Sequence, residues 1–67
     1  MELRLLTESQ AAGTLGLKAI TLRRWRWKGE GPDYIKIGRS VRYDPETLRD
    51  FIEAGRRSST SSQPYHV

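Results

Sequence analysis

Sixty-seven residues with no cysteine, carrying 12 lysines and arginines against 8 acids, leave room for one small domain and exclude several chemistries together. A chain this short buries only about 60% of its unfolded surface, too little to wall off a large catalytic cavity. The missing cysteines remove disulfides, thiolate nucleophiles and cysteine-based zinc sites, and the one histidine, His66, reads as a tail residue.

No catalytic residue, metal ligand or cofactor is therefore expected, and the chain is not read as an enzyme. No apolar run reaches the roughly 18 residues needed to cross a bilayer, and Met1-Glu2-Leu3-Arg4 lacks the charged-then-apolar order of a signal peptide. The expected location is cytoplasmic. The net charge of +4 is unevenly spread: residues 18–43 hold eight Lys/Arg against Glu30 and Asp33, while the segments on either side are slightly acidic. A concentrated positive segment is the electrostatic footprint of a phosphate-bearing partner.

In chain order, Leu3, Leu5 and Leu6 lead into Thr7-Glu8-Ser9-Gln10, which has the S/T-x-x-E/Q form of a capping box with Leu6 as a hydrophobic staple. A helix is predicted from about Glu8, with Ala11, Ala12 and Leu15 as its apolar stripe and small residues suited to close helix approach. Gly16 ends it through a left-handed turn. A second helix is predicted from about Ala19 to Lys28, although Lys18 stands where a capping side chain is expected. At 100° per residue, Leu22 and Trp25 fall on one side of it, while Ile20, Arg23, Arg24 and Trp27 gather opposite with Thr21 flanking. One face is made to bury, and the other to touch an anion.

Gly29 through Asp33 is a loop by composition. Tyr34-Ile35-Lys36-Ile37 and Val41-Arg42-Tyr43 read as a β-hairpin around the three-residue turn Gly38-Arg39-Ser40. With that turn, Ile35, Ile37, Val41 and Tyr43 share a buried face, and Lys36 and Arg42 point outward beside Arg39 at the tip. Asp44-Pro45-Glu46 starts a third helix, whose Leu48, Phe51 and Ile52 are expected to close the core over the hairpin and Trp25. Its acids Asp44, Glu46, Asp50 and Glu53 read as dipole complementation and a solvated face, not as a catalytic cluster. Gly55 stops the helix, giving a domain over residues 1–55 and a tail over residues 56–67, rich in Ser and expected to be disordered.

The fold class that results is mostly α with a small β-hairpin: helix-turn-helix, two-stranded wing, C-terminal helix. The ordered set Thr7-Glu8, Ala11-Ala12, Leu15-Gly16-Leu17, Thr21-Leu22-Arg23-Arg24-Trp25, Gly29-x-Gly31-Pro32, Lys36-x-Gly38-Arg39-x-Val41-x-Tyr43 and Leu48 resembles the small excisionase-like, MerR-type winged-helix DNA-binding proteins of phages and integrative elements. The resemblance covers residues 5 to about 54. It implies a second helix in the major groove, a wing on the neighbouring backbone or minor groove, and bending of attachment-site DNA that directs an integrase toward excision. Carried over by position, it places Thr21, Arg23 and Arg24 on the recognition helix and Lys36, Arg39 and Arg42 on the wing. Lys18 and Trp27 depart from the family pattern.

The expected interface is Ile20, Thr21, Arg23, Arg24 and Trp27 on the helix, with Lys36, Arg39, Ser40 and Arg42 on the wing. Ile20 is a candidate for a thymine methyl, and Trp27 is open between the groove, the hairpin and a second copy. The expected partners are double-stranded DNA, a cognate integrase and further copies bound cooperatively on adjacent sites. Two other readings compete: a transcriptional regulator on the same fold, and a protein-interaction module that docks an acidic partner.

Overall fold

A computed structural model describes residues 3–57. Its elements are β1 (Leu6–Thr7), α1 (Glu8–Leu15), α2 (Ala19–Lys28), β2 (Ile35–Ile37), β3 (Ser40–Tyr43) and α3 (Pro45–Ala54). Among the described residues no helix is long and apolar enough to cross a membrane, and no cluster of side chains is fit to hold a metal ion. The residues 58–67 of the expected disordered tail lie outside the described residues.

The local signals act as the residue types dictate. The Thr7 side chain accepts from the Gln10 amide at 3.1 Å while Gln10 Oε1 accepts from the Thr7 amide at 3.0 Å, a reciprocal capping box that occupies two N–H groups the first turn leaves over. Helices α1 and α2 then end by one device. The Leu17 amide donates to Ala12 O and that of Glu30 to Trp25 O, at 2.8 and 2.7 Å, around glycines at φ +73° and +75°. This closure requires a left-handed residue, which glycine adopts without a Cβ penalty. Lys18 offers α2 no side-chain cap, whereas Asp44 Oδ1 accepts from the Glu46 amide at 3.0 Å in front of Pro45 in α3.

Three helices pack around a small sheet of order β1-β3-β2, antiparallel throughout. Ala11, Ala12, Leu22, Tyr43 and Leu48 form the buried centre, with Leu6, Leu15, Ala19, Trp25 and Val41 packed around it. The two alanines present almost no bulk, which lets α1 sit directly on α2. The Trp25 ring meets Phe51 of α3 at 5.9 Å between centroids and lies under the α2–β2 loop, where Gly31 approaches it so closely that a Cβ there would be 2.7 Å from Trp25 Cε3.

The hairpin differs from its expected form in one respect that changes the facing of every β2 side chain. Ile37 pairs with Ser40, so the turn is the two residues Gly38-Arg39 and not three. Gly38 has φ +61° and Arg39 does not share a positive φ, the type II′ pattern whose twist suits two paired strands. Lys36 faces Val41 and Ile35 faces Arg42 in this register. Since cross-strand partners share a face and one residue of slip exchanges the faces, Val41 and Tyr43 face the core, and Lys36 lies on their side of the hairpin but is exposed. Ile35 and Ile37 lie on the other side with Ser40 and Arg42, and Ile37 is 54% exposed. The expected four-residue apolar face therefore does not form, nor do Lys36 and Arg42 point the same way. A second correction concerns α3: Leu48 is buried, but Ile52 is 41% exposed, at the rim beside Leu15 and Leu17. The stripe is wider than the core it covers.

Candidate nucleic-acid interface

The 3.6-residue period places Arg26 about 40° from Leu22 around α2, on the buried flank rather than the outer side. The structure uses it there. Arg26 Nε donates to Glu8 Oε2 at 3.1 Å and Nη2 to Glu8 Oε1 at 3.3 Å, a two-point pairing between α2 and the first residue of α1. The guanidinium also lies over the Tyr34 ring, 5.6 Å from its centroid, and Tyr43 donates its hydroxyl to Glu8 Oε2 at 3.4 Å. The Arg26 side chain is only 17% exposed. Hydrogen bonding to Glu8 raises its pKa against the opposing effect of burial, so it stays charged. Burial raises the pKa of the Tyr43 hydroxyl, and the nearby charge of Glu8 adds to this.

The group is a cross-brace among α1, α2 and the sheet. It ties the pitch of α2 to the hairpin, and it removes one arginine from the charge available to a partner. Neither Glu8 nor Arg26 was expected from the sequence as part of the site's machinery. The signal for Arg26 was its angle beside Leu22. Glu8 is separated from Arg26 by 18 positions and from Tyr43 by 35, and no local pattern links residues so far apart.

On the outer side of α2 the side chains stand in solvent. Arg24 is exposed, and its guanidinium makes no ion pair or hydrogen bond with the described residues. Trp27 is 72% exposed and Ile20 is 42% exposed, so Trp27 does not cover the hairpin. Arg23 is intermediate in character: its side chain is 48% exposed, with Nε 3.7 Å from Glu8 Oε1. Thr21 is half-buried, while Lys28 at the helix end is exposed. Every one of these positions is fixed by the same step of 100° per residue away from Leu22 and Trp25.

The wing residues are distributed by the corrected register. Arg39 occupies the second position of the turn and is exposed, as are Lys36 and Ser40. Arg42 lies in the central strand, half-buried, and donates from Nη1 to the Val41 carbonyl at 2.8 Å. Lys36 and Arg42 therefore serve opposite faces of the hairpin, and only Arg39 projects from its tip.

Two helices joined by a left-handed glycine turn, the second carrying exposed arginines, followed by a two-stranded wing, form an arrangement suited to laying a helix into the groove of a duplex. The helix-turn-helix domain family matches residues 5–56. No curated protein matches the chain. The matched span includes α1, the glycine turn, α2, the hairpin and α3, and the chain belongs to the helix-turn-helix domain family, as a small DNA-binding protein.

Proposed function

We propose that this protein binds specific sites in double-stranded DNA and acts as a recombination directionality factor, bending attachment-site DNA to direct an integrase toward excision of a mobile element. The observation that carries the DNA-binding part is the outer side of α2, where Ile20, Arg23, Arg24 and Trp27 are exposed opposite the buried Leu22. Arg39 at the tip of the hairpin, with Lys36, Ser40 and Arg42 behind it, supplies the wing contacts, and Thr21 adds a hydroxyl near the start of the helix. The excision role rests on the ordered motif set from Thr7 to Leu48, which resembles excisionases. A domain over residues 1–55 covers few base pairs, which favours several copies on adjacent sites.

The test is a purified recombination reaction with the element's integrase and attachment sites, run with and without this protein. Stimulated excision is the expected result. Unchanged recombination, with footprints confined to a promoter, would make the protein a transcriptional regulator instead. Each phosphate neutralised contributes about −0.9 to the slope of log affinity against log salt, so three or four contacts give roughly −3 to −4. Absence of duplex binding at low salt would refute the DNA-binding assignment itself and favour a protein-docking module.

A further inference from the structure

Arginine on a groove-facing helix can grip a guanine edge through its planar fork or pair with a phosphate, and the surroundings of Arg23 and Arg24 differ enough to tell these roles apart. Ile20, Arg24 and Trp27 stand at i, i+4 and i+7, within about 60° of one another around α2 and opposite the buried Leu22 and Trp25. Together they form one ridge: a charged residue that has no partner among the described residues, between two exposed apolar ones. Arg23 stands about 100° from Arg24 around the helix, on the flank toward α1, where its Nε is 3.7 Å from the Glu8 carboxylate.

In a major groove, the outermost ridge of a helix meets base edges, and the flanks meet the phosphate rims. Apolar neighbours fit this division. Aliphatic and aromatic carbons gain nothing from a phosphate, but they pack against the C5-methyl of thymine. Ile20 and Trp27 are separated by seven residues, a rise of about 10.5 Å, comparable to three base-pair steps. Resting on the proposed DNA-binding function, we infer that the ridge Ile20–Arg24–Trp27 reads bases, with Arg24 on a guanine and its two apolar neighbours on thymine methyls, while Arg23 contacts a phosphate at the rim. The Glu8 carboxylate, 3.7 Å from Arg23 Nε, draws Arg23 toward α1, the side from which its guanidinium would meet the backbone.

The test uses the full chain and a duplex recovered by selection from a random library. Guanines in that duplex are replaced singly by 7-deazaguanine, which lacks the N7 acceptor, and thymines by deoxyuridine, which lacks the methyl. Wild-type affinity is expected to fall about 5- to 100-fold at one guanine, the range for a bidentate base contact, and by a smaller factor at thymines near it. Arg24→Ala should bind weakly and become indifferent to the 7-deazaguanine; Ile20→Ala or Trp27→Ala should become indifferent to a deoxyuridine. Arg23→Ala should keep full sensitivity to both analogues while its salt slope becomes shallower by about one. Sensitivity abolished by Arg23→Ala and kept by Arg24→Ala would overturn the assignment and leave the DNA-binding function standing. Failure of the selection to enrich any duplex would overturn the function first.

Discussion

The two sides of α2 carry the same residue type to different ends. On the inner flank, Arg26 is gripped at two points by Glu8 and covered by Tyr34; on the outer ridge, Arg24 makes no contact of that kind with the described residues. Only two positions separate them in sequence. The difference teaches that a count of basic residues overstates the surface available to DNA, because part of the charge is consumed in holding the helix at its angle. Substitutions inside should change stability and, through it, everything else, whereas substitutions outside should change affinity alone.

The largest effect is expected at Leu22, which is 1% exposed at the centre of the inner side. Leu22→Ala should cost about 3 kcal/mol, read by urea or thermal unfolding, and a loss below about 1 kcal/mol would show that this side is not the anchor. Next comes Gly31→Ala. Its φ of +81° is unfavourable for a side chain, and the new Cβ would be 3.0 Å from Trp25 Cβ and 2.7 Å from Cε3, so about 2 kcal/mol is expected from strain and overpacking together. Unfolding followed by the fluorescence of Trp25, in a Trp27→Phe background, measures it.

Glu8→Gln should cost less, about 1 to 2 kcal/mol, because the amide still accepts one hydrogen bond but no longer neutralises Arg26. The same brace has a signature in pH. Tyr43 has a folded pKa above the ordinary tyrosine value of 10.0, first through burial and then through Glu8. Its contribution is therefore fully present below pH 10, and it declines as pH rises through the folded value, because the unfolded chain loses the proton first. Tyr43→Phe should flatten this alkaline decline relative to wild type in a series of thermal melts; equal declines would remove Tyr43 as the cause. The smallest change in stability belongs to Arg24→Ala, within about 0.5 kcal/mol, despite its expected loss of DNA affinity. A destabilisation comparable to that of Glu8→Gln would erase the distinction between the two sides.

Much of this fold was legible from local chemistry. Thr7-x-x-Gln10 announced a cap that forms as expected, Gly16 and Gly29 announced two left-handed endings, and the leucine–tryptophan step set the orientation of α2. The failures have a common physical origin: they concern decisions taken by pairing across the chain. Strand β1 is two residues long, too short for any alternation to show, and it forms by pairing Leu6 with Tyr43 and Thr7 with Arg42 across the chain. The turn at Gly38 is compatible with either two or three residues until Ser40 takes Ile37 as its partner. On the interface, the exposure of Arg24 followed from angle alone, whereas angle left Trp27 open between the groove, the hairpin and a second copy; the withdrawal of Arg26 and the tether on Arg23 required Glu8 to arrive from another helix. Gly31 looked like any loop glycine, although Trp25 sets the conditions there.

The choice of turn also imposes a rule of parity on the wing. With the two-residue turn kept and β3 held by β1 and the buried Tyr43, one residue added at the tip would turn β2 over, bringing Ile35 and Ile37 to the side of Val41 and Tyr43 and breaking the present register. Two would restore the arrangement and merely lengthen the reach of Arg39 by about 3 Å, since each strand gains one residue. Wing length in this domain is thus adjustable in even steps, and melting temperature should alternate, low then recovered, along a series of tip insertions.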